Sequence, residues 1–496
     1  MKKVWKIGKL CVPAPGCALA TVFLGLAVLA PAQAAGENGA KTIQALFVSD
    51  IHLEPFLDPG KAVKLAAAPV GEWNAILAAP ASADAAARWA NVEQACPTRG
   101  ADTSYVLYQS SLRAIHAQAG DAKFAIVSGD LVAHSFSCKF AAVFPKAAPA
   151  DLRAFVEKTI AYVLAELRGA LPGVPVYAAL GNNDSDCGDY QLDANSAFLK
   201  ESAGDFAADL HGTEQAQARE TFAAGGYYSA SLPAPLGKAR LLVLDDIFMS
   251  EKYQTCGGKA DAAPAAQQIA WLKQHLDAAR EKKEKVWVMA HIPPGVDSYA
   301  TARKWKELCS GGKPKMFLAS EALPEVLADY GDVVPLAIFA HTHMDEVRLL
   351  EPGPGPGNER MAERGIAVKL VASISPIDGN APSFTLASID AGTAVMRDYR
   401  VIAASNATGV DTKWAEEYDF AKTYKEDGFT ARGVLDLIAG FGADPEARQI
   451  ASQSYLRYYM TGVDMRMMAL IWQPYVCSLT NDTTDAYREC VCRSAP

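Results

Sequence analysis

Phe339-Ala-His-Thr-His-Met-Asp-Glu-Val347 (FAHTHMDEV) closes a short apolar run at 334–340. Its two imidazoles, His341 and His343, are separated by one residue and sit just past a strand that reads as buried. Histidines released at a strand end in this way are suited to hold metal.

Moving upstream, the same pattern recurs. Residues 42–49 (TIQALFVS) read as a strand that stops at Asp50-Ile51-His52. Residues 124–128 read as a strand stopping at Gly129-Asp130, and 174–180 as one stopping at Gly181-Asn182-Asn183-Asp184. A strand at 239–244 follows, and another at 285–290 stops at His291. Helical spacing over 105–118, 151–167, 265–280 and 320–330 separates these strands. Strands alternating with helices argue for an α/β fold, and such folds gather their sites at the carboxyl ends of strands. The Ala-rich stretch 61–98 reads as an inserted helical cap. Pro352-Gly-Pro-Gly-Pro-Gly357 is a loop between strands at 345–350 and 366–371. More strand follows at 385–389 and 395–402, and from about Lys413 to Ile471 the spacing predicts helix.

The amino terminus carries Lys2, Lys3, Lys6 and Lys9, then an uncharged apolar run at 18–30, then Ala32-Gln33-Ala34. This is the order of a secretory signal, cut near residue 35, and the run is short for a membrane span. Export to a periplasm or beyond is therefore expected, without stable membrane insertion. Eight of the ten cysteines lie beyond the signal, an even number that suggests disulfides with open pairing. The formal net charge is −9, and the signal removes four lysines and no acids. So acidic a chain is not steered to nucleic acid, and an anionic substrate needs local attraction. Nothing in the sequence fixes an oligomeric state.

Asp50, His52, Asp130, Asn182, His291, His341 and His343 together make a candidate metal set. No member is specific alone; their order and position at strand ends are. Imidazole, carboxylate and amide oxygen suit zinc first, with manganese or iron as alternatives. Two divalent cations about 3.5–4 Å apart would activate a water and neutralise a phosphoryl group.

These motifs, with SDIHLEPF (49–56), SGDLVAH (128–134), LGNND (180–184), AHIPPG (290–295), AHTHMDE (340–346) and SISPIDGNAPSF (373–384), resemble the calcineurin-like metallophosphoesterase superfamily. More closely, they resemble its acid sphingomyelinase-like branch, which includes endopolyphosphatases. The resemblance implies a four-layer α/β/β/α sandwich of two mixed sheets over 36–405, with a helical, Cys-bearing subdomain at 406–496. It implies one cation on Asp50, His52, Asp130 and His343. The other would sit on Asp130, Asn182, His291 and His341, with Asp130 bridging. It also implies an exported hydrolase of phosphodiester or phosphoanhydride bonds, acting on a phosphorylated small molecule or polyphosphate. The alternatives are a sphingomyelinase-type lipid phosphodiesterase and a metal-binding protein without turnover.

Two departures stand out. Ala340 replaces the usual glycine before His341, and Asn183 replaces a histidine. An amide donates a hydrogen bond but yields no proton at neutral pH. Asn183 and His134 are thus the candidate catalytic side chains, with His134, four residues past Asp130, as the candidate acid. Asp345 is expected to orient an imidazole, and Asp184, Asp186 and Asp189 to lie in a solvated loop. The tail's Tyr455, Tyr458, Tyr459, Met460, Met465, Met467 and Met468 are expected to pack against the catalytic domain.

Overall fold

The computed structural model describes residues 41–236, 238–302, 304–351, 363–462 and 466–494. The expected signal at 1–35 and the Pro-Gly loop at 352–357 lie outside the described residues. Two six-stranded sheets carry the fold. The first runs, in spatial order, β12 (Trp414–Asp419), β11 (Met396–Ala404), β10 (Ser383–Asp390), β1 (Thr42–Val48), β2 (Ala125–Val127) and β3 (Val176–Ala178). The other runs β4 (Tyr228–Ser231), β5 (Ala239–Val243), β6 (Lys285–Met289), β7 (Leu336–Phe339), β9 (Ile366–Leu370) and β8 (Glu346–Leu350).

Both sheets are mixed. β1, β2 and β3 are parallel to one another, as are β5, β6, β7 and β9, while the outer strands are antiparallel. Every residue of β2, β3, β7 and β9 is buried, as expected of parallel strands covered on both faces. The register pairs Val48 with Val127 and Val127 with Ala178 in one sheet. It pairs Val243 with Met289 and Met289 with Ile338 in the other. The carboxyl ends of the parallel strands are therefore level within each sheet.

The sheets pack face to face. Trp287 of β6, fully buried, meets Phe47 of β1 edge-on at 6.0 Å and Phe124 at 5.6 Å. Its indole N–H donates to the Ala394 carbonyl at 2.8 Å, which satisfies the one polar atom it buries. Outside the second sheet, Leu272, Leu276 and Ala279 of the helix Ala263–Lys282 pack with Val286 and Val288. Outside the first, the helix Tyr105–Ala119, capped by the Ser104 hydroxyl on the Leu107 N–H, packs beside Pro149–Ala170. The result is the four-layer α/β/β/α sandwich.

The Ala-rich insertion is helical, at Pro59–Ala67, Trp73–Ala78 and Ala85–Ala95, and the Cys96–Cys138 disulfide ties it to the helix Phe136–Val143. The stretch after 185 is more regular than its sequence suggests, with helices at Ala197–Phe206 and Gly212–Gly225. The helical reading from Lys413 is corrected at its start. Residues 414–419 form β12, because β11 offers an open edge and pairing there outweighs the helix propensity of Ala, Glu and Glu. The tail then covers the β8 edge, where Asp345 N–H donates to the Tyr459 carbonyl and Leu349 N–H to the Leu479 carbonyl. Tyr455, Tyr459, Met460 and Met468 are buried and Tyr458 half-buried, as expected of a packed tail. Met465 and the Met467 side chain lie outside the described residues. No described helix is long and apolar enough to cross a membrane.

Candidate metal centre

Parallel strands hand over their polar residues just past their last ladder pairs, and after β1, β2 and β7 the chain turns by a backbone conformation rare for side-chain-bearing residues. Asp50, His52, Asp130, His341 and His343 all have positive φ, between 44° and 68°. Such residues are uncommon outside glycine, though Asp and His tolerate the left-handed region better than most, and each costs of order 1–3 kcal/mol. Two glycines give the side chains room. A Cβ on Gly181 would stand 2.2 Å from Asp130 Oδ1, and one on Gly129 2.7 Å from His291 Nδ1. Main-chain bonds then stitch the loops together. Asp50 N–H donates to Gly129 O and His52 N–H to Asp130 O, both at 3.0 Å, and Ser375 N–H donates to Asp50 O across the sheets at 3.0 Å.

All seven sequence-predicted ligands converge. His52 Nε2 lies 3.2 Å from His343 Nε2, 3.4 Å from Asp130 Oδ2 and 3.8 Å from Asp50 Oδ1. His343 Nε2 lies 3.4 Å from Asp50 Oδ1. On the other side, His291 Nε2 is 3.2 Å from Asp130 Oδ2 and 3.1 Å from Asn182 Oδ1. His341 offers a ring nitrogen within 4.8 Å of ligand atoms of Asp130 and His291. Asp130 thus stands between the two groups.

The donor set fits cations. Both carboxylate oxygens of Asp50 are buried without a hydrogen-bond partner, and an orphaned buried carboxylate is costly unless a cation meets it. The imidazoles are held in the right tautomer. His52 Nδ1–H donates to Val132 O at 2.8 Å and His291 Nδ1–H to Ser128 O at 2.7 Å, which leaves each Nε2 lone pair facing inward. Electrostatics point the same way. Burial opposes protonation of His52, yet Asp130 and Asp50 lift its pKa to about 9. His291, under the same opposition, is lifted by Asp130 and Asp50 to about 10. Burial, with the neighbouring imidazoles, outweighs Asp50 at His343 and pushes it down to about 4. Without metal, the carboxylates therefore draw in protons as substitute positive charge.

The expected catalytic residues sit beside this cluster. His134 stacks on His52 with ring centroids 3.9 Å apart. Its Nδ1 and its main-chain N–H both face Asp102, each at 2.9 Å, so Nε2 is the nitrogen left for the cleft that His134 lines. Asn183 gives its main-chain N–H to Asp130 Oδ1 at 2.8 Å and its side-chain amide to Asp130 Oδ2 at 2.9 Å.

Two expectations fail. Asp345 does not orient an imidazole. Its carboxylate is spent on the Lys369 ammonium and, at 2.8 Å, the Tyr418 hydroxyl. The acid facing His343 is Asp378, 3.3 Å from Nδ1. Nor does Asp184 lie in a solvated loop, although Asp189 is exposed as expected. Asp184 is buried and accepts the N–H groups of Leu131, Val132 and Gly181, while burial and then Asp130 raise its pKa to about 7. Asp189 accepts the Asn182 amide at 2.7 Å, aiming Asn182 Oδ1 inward. Asp186 is half-buried.

Sequence reading missed Asp102, Asp378, Tyr190 and Asp246. Asp246 carried a usable signal, because it follows β5 as the other ligands follow their strands. It accepts the N–H groups of His291 and Ile292. Tyr190 places its hydroxyl 3.1 Å from His341 Nε2, which leaves Nδ1 as that ring's inward nitrogen. A cleft of about 460 Å³ opens over the cluster, walled by Arg99, His134, Lys252, Tyr299 and Phe317.

The model of the calcineurin-like phosphoesterase family matches residues 43–345, well over half of the chain. Among curated relatives, the Homo sapiens acid sphingomyelinase-like phosphodiesterase 3b is 26% identical over 339 residues, covering 66% of this chain and 68% of that protein. The Mus musculus cyclic GMP-AMP phosphodiesterase SMPDL3A is 24% identical over 407 residues, covering 79% and 82%. A dimetal phosphatase structure from Danio rerio aligns over 76% of this chain and 99% of its own, at 13% identity and a TM-score of 0.36.

Proposed function

The chain belongs to the calcineurin-like phosphoesterase family and is a metal-dependent phosphoesterase; from that footing we propose an exported enzyme that uses two divalent cations to hydrolyse phosphodiester or phosphoanhydride bonds. The observation that carries the dinuclear reading is the Asp50–Asp130 carboxylate pair. It is buried between four imidazoles, with both Asp50 oxygens unpartnered and Asp130 shared by two ligand groups.

Asp50, His52, Asp130 and His343 would hold one cation, and Asp130, Asn182, His291 and His341 the other. Zinc is favoured by the imidazole count, with manganese or iron as alternatives. Bound there, the cations supply an activated water and neutralise phosphoryl charge. The protein supplies the rest. Asp189 and Asp246 fix Asn182 and His291. Asn183 holds Asp130. His134, clamped by Asp102, presents Nε2 to the cleft as the acid for an alkoxide leaving group. Asn183 cannot yield a proton in its place, and a leaving phosphate needs a proton donor less than an alkoxide does.

The insertion after β1 bears on the lipid alternative. Trp73 and Leu65 are fully buried against the core, so these helices are part of the catalytic body, which favours a polar phosphorylated substrate over a membrane lipid. Export is supported by the pairing of all eight cysteines beyond residue 35 into four disulfides.

The test is turnover of bis(p-nitrophenyl) phosphate, ATP and polyphosphate by protein stripped with chelator and reloaded with zinc or manganese. Metal-restored hydrolysis of at least one substrate is expected. Bound metal with no turnover on any of them refutes the proposal.

A further inference from the structure

Arg99 and Lys252 are the two long cationic side chains lining the cleft. They differ in what already holds them. The Arg99 guanidinium is 3.1 Å from Asp378 and so is committed to a carboxylate. Among the described residues, the Lys252 ammonium has only a phenol as its hydrogen-bond partner. It donates to the Tyr190 hydroxyl at 3.2 Å and lies 4.6 Å over the Tyr190 ring.

The acids near Lys252 make their hydrogen bonds elsewhere, though Asp189 feels its charge. Asp189 takes the Asn182 amide, Asp297 takes the Ala300 N–H at 2.9 Å, and the neighbouring Glu251 pairs with Lys315 at 3.5 Å. Among the described residues no carboxylate comes within 4.0 Å of the Lys252 ammonium. The loop that carries it is also fixed. The Cys187–Cys256 disulfide closes it, Gln254 N–H donates to Tyr190 O at 3.0 Å, and the Tyr253 hydroxyl donates to Leu192 O at 3.0 Å. A lone cation is thus held in place one phenol away from His341, on the Asn182–His291 side of the candidate centre.

We infer that Lys252 is a second anion subsite, taking the phosphoryl group adjacent to the one held at the metal centre, so that the preferred substrate is a phosphoanhydride. The inference rests on the phosphoesterase reading and narrows its substrate class. In the reaction, the water oxygen bonds to phosphorus at the centre while the bridging P–O bond breaks. The bridging electron pair leaves with the departing phosphate, which gains one of water's protons; the other passes to solvent. The ammonium donors of Lys252 meet the charge that grows on the departing phosphate.

Calorimetric titration of metal-loaded protein with imidodiphosphate, which keeps two phosphoryl groups but resists hydrolysis, tests this against orthophosphate. The unaltered protein should bind imidodiphosphate about tenfold more tightly than orthophosphate, the worth of one charge-assisted hydrogen bond. Lys252→Met should bring that ratio close to one, and Lys252→Arg should largely restore it. Because Lys252 is exposed, the substitution does not threaten the core. A preference that survives Lys252→Met, or one absent from the unaltered protein, overturns the inference. Failure of the unaltered, metal-loaded protein to hydrolyse any of the three substrates above would instead overturn the phosphoesterase reading, whatever Lys252 binds.

Discussion

His341 and His343 occupy one short turn, yet they face different partners. His343 lies with Asp50 and His52, and His341 with Asp130 and His291. His343→Ala should therefore empty the Asp50–His52 side first, and His341→Ala the Asn182–His291 side. Metal counting by mass spectrometry checks this, and equal loss of both metals in both variants contradicts it. The protons on His52 and His291 make a further prediction. Their pKa values of about 9 and 10 keep both rings charged at pH 8 in metal-free protein. Cations need the neutral rings, so loading should release about two protons per molecule, read with a pH indicator in weak buffer. Loading without proton release would show that the rings are already neutral. The ligands were legible at this scale because each follows an apolar run. Asp102 and Asp378 were not, since each lies in an irregular loop and acquires its role only through a partner far along the chain.

At the scale of elements, strand ends do the positioning and the inter-sheet core holds them level. Trp287 is the largest side chain shared between the sheets in that core. Trp287→Ala should cost about 3–5 kcal/mol, measured by denaturant unfolding, because a buried ring leaves a cavity and an unpaired Ala394 carbonyl. A cost under about 1 kcal/mol would mean that the sheets re-pack freely. Apolar runs announced the buried parallel strands plainly, whereas β12 (WAEEYD) did not read as a strand. Its edge position lets Glu416 stay exposed, so its alternation is weak, and only the partner β11 decides its conformation. Asp345 was misjudged for a similar reason. Its neighbours in sequence are imidazoles, but β9 and β12 bring Lys369 and Tyr418 to it first.

Over the whole molecule, half-buried acids contribute to how stability responds to pH. Burial, then Glu201, raises Glu157 from 4.5 to about 8, and burial, then Asp345, raises Glu417 likewise to about 8. The folded protein keeps these protons after the unfolded chain has lost them. Stability of the metal-free protein should therefore fall as pH climbs from about 4.5 to about 8. Replacing both with Gln should flatten the fall in melting temperature across that window, and an unchanged slope would remove these two groups as its source. The tail is part of the same body. Its Tyr475 hydroxyl reaches Glu346 at 3.2 Å, and its Cys492 is bonded to Cys309 on the segment that walls the cleft.

The division of ligands between the sheets has one more consequence. Asp50, His52, Asp130 and Asn182 come from the first sheet, and His291, His341 and His343 from the second. Neither sheet can hold a cation pair alone, so the free energy of metal binding is also adhesion between two halves of the protein. Metal should raise the melting temperature by mass action. Conversely, loosening the sandwich at Trp287, with every ligand intact, should appear as weaker metal affinity. The centre then acts as a rivet whose grip reports how well the two halves fit.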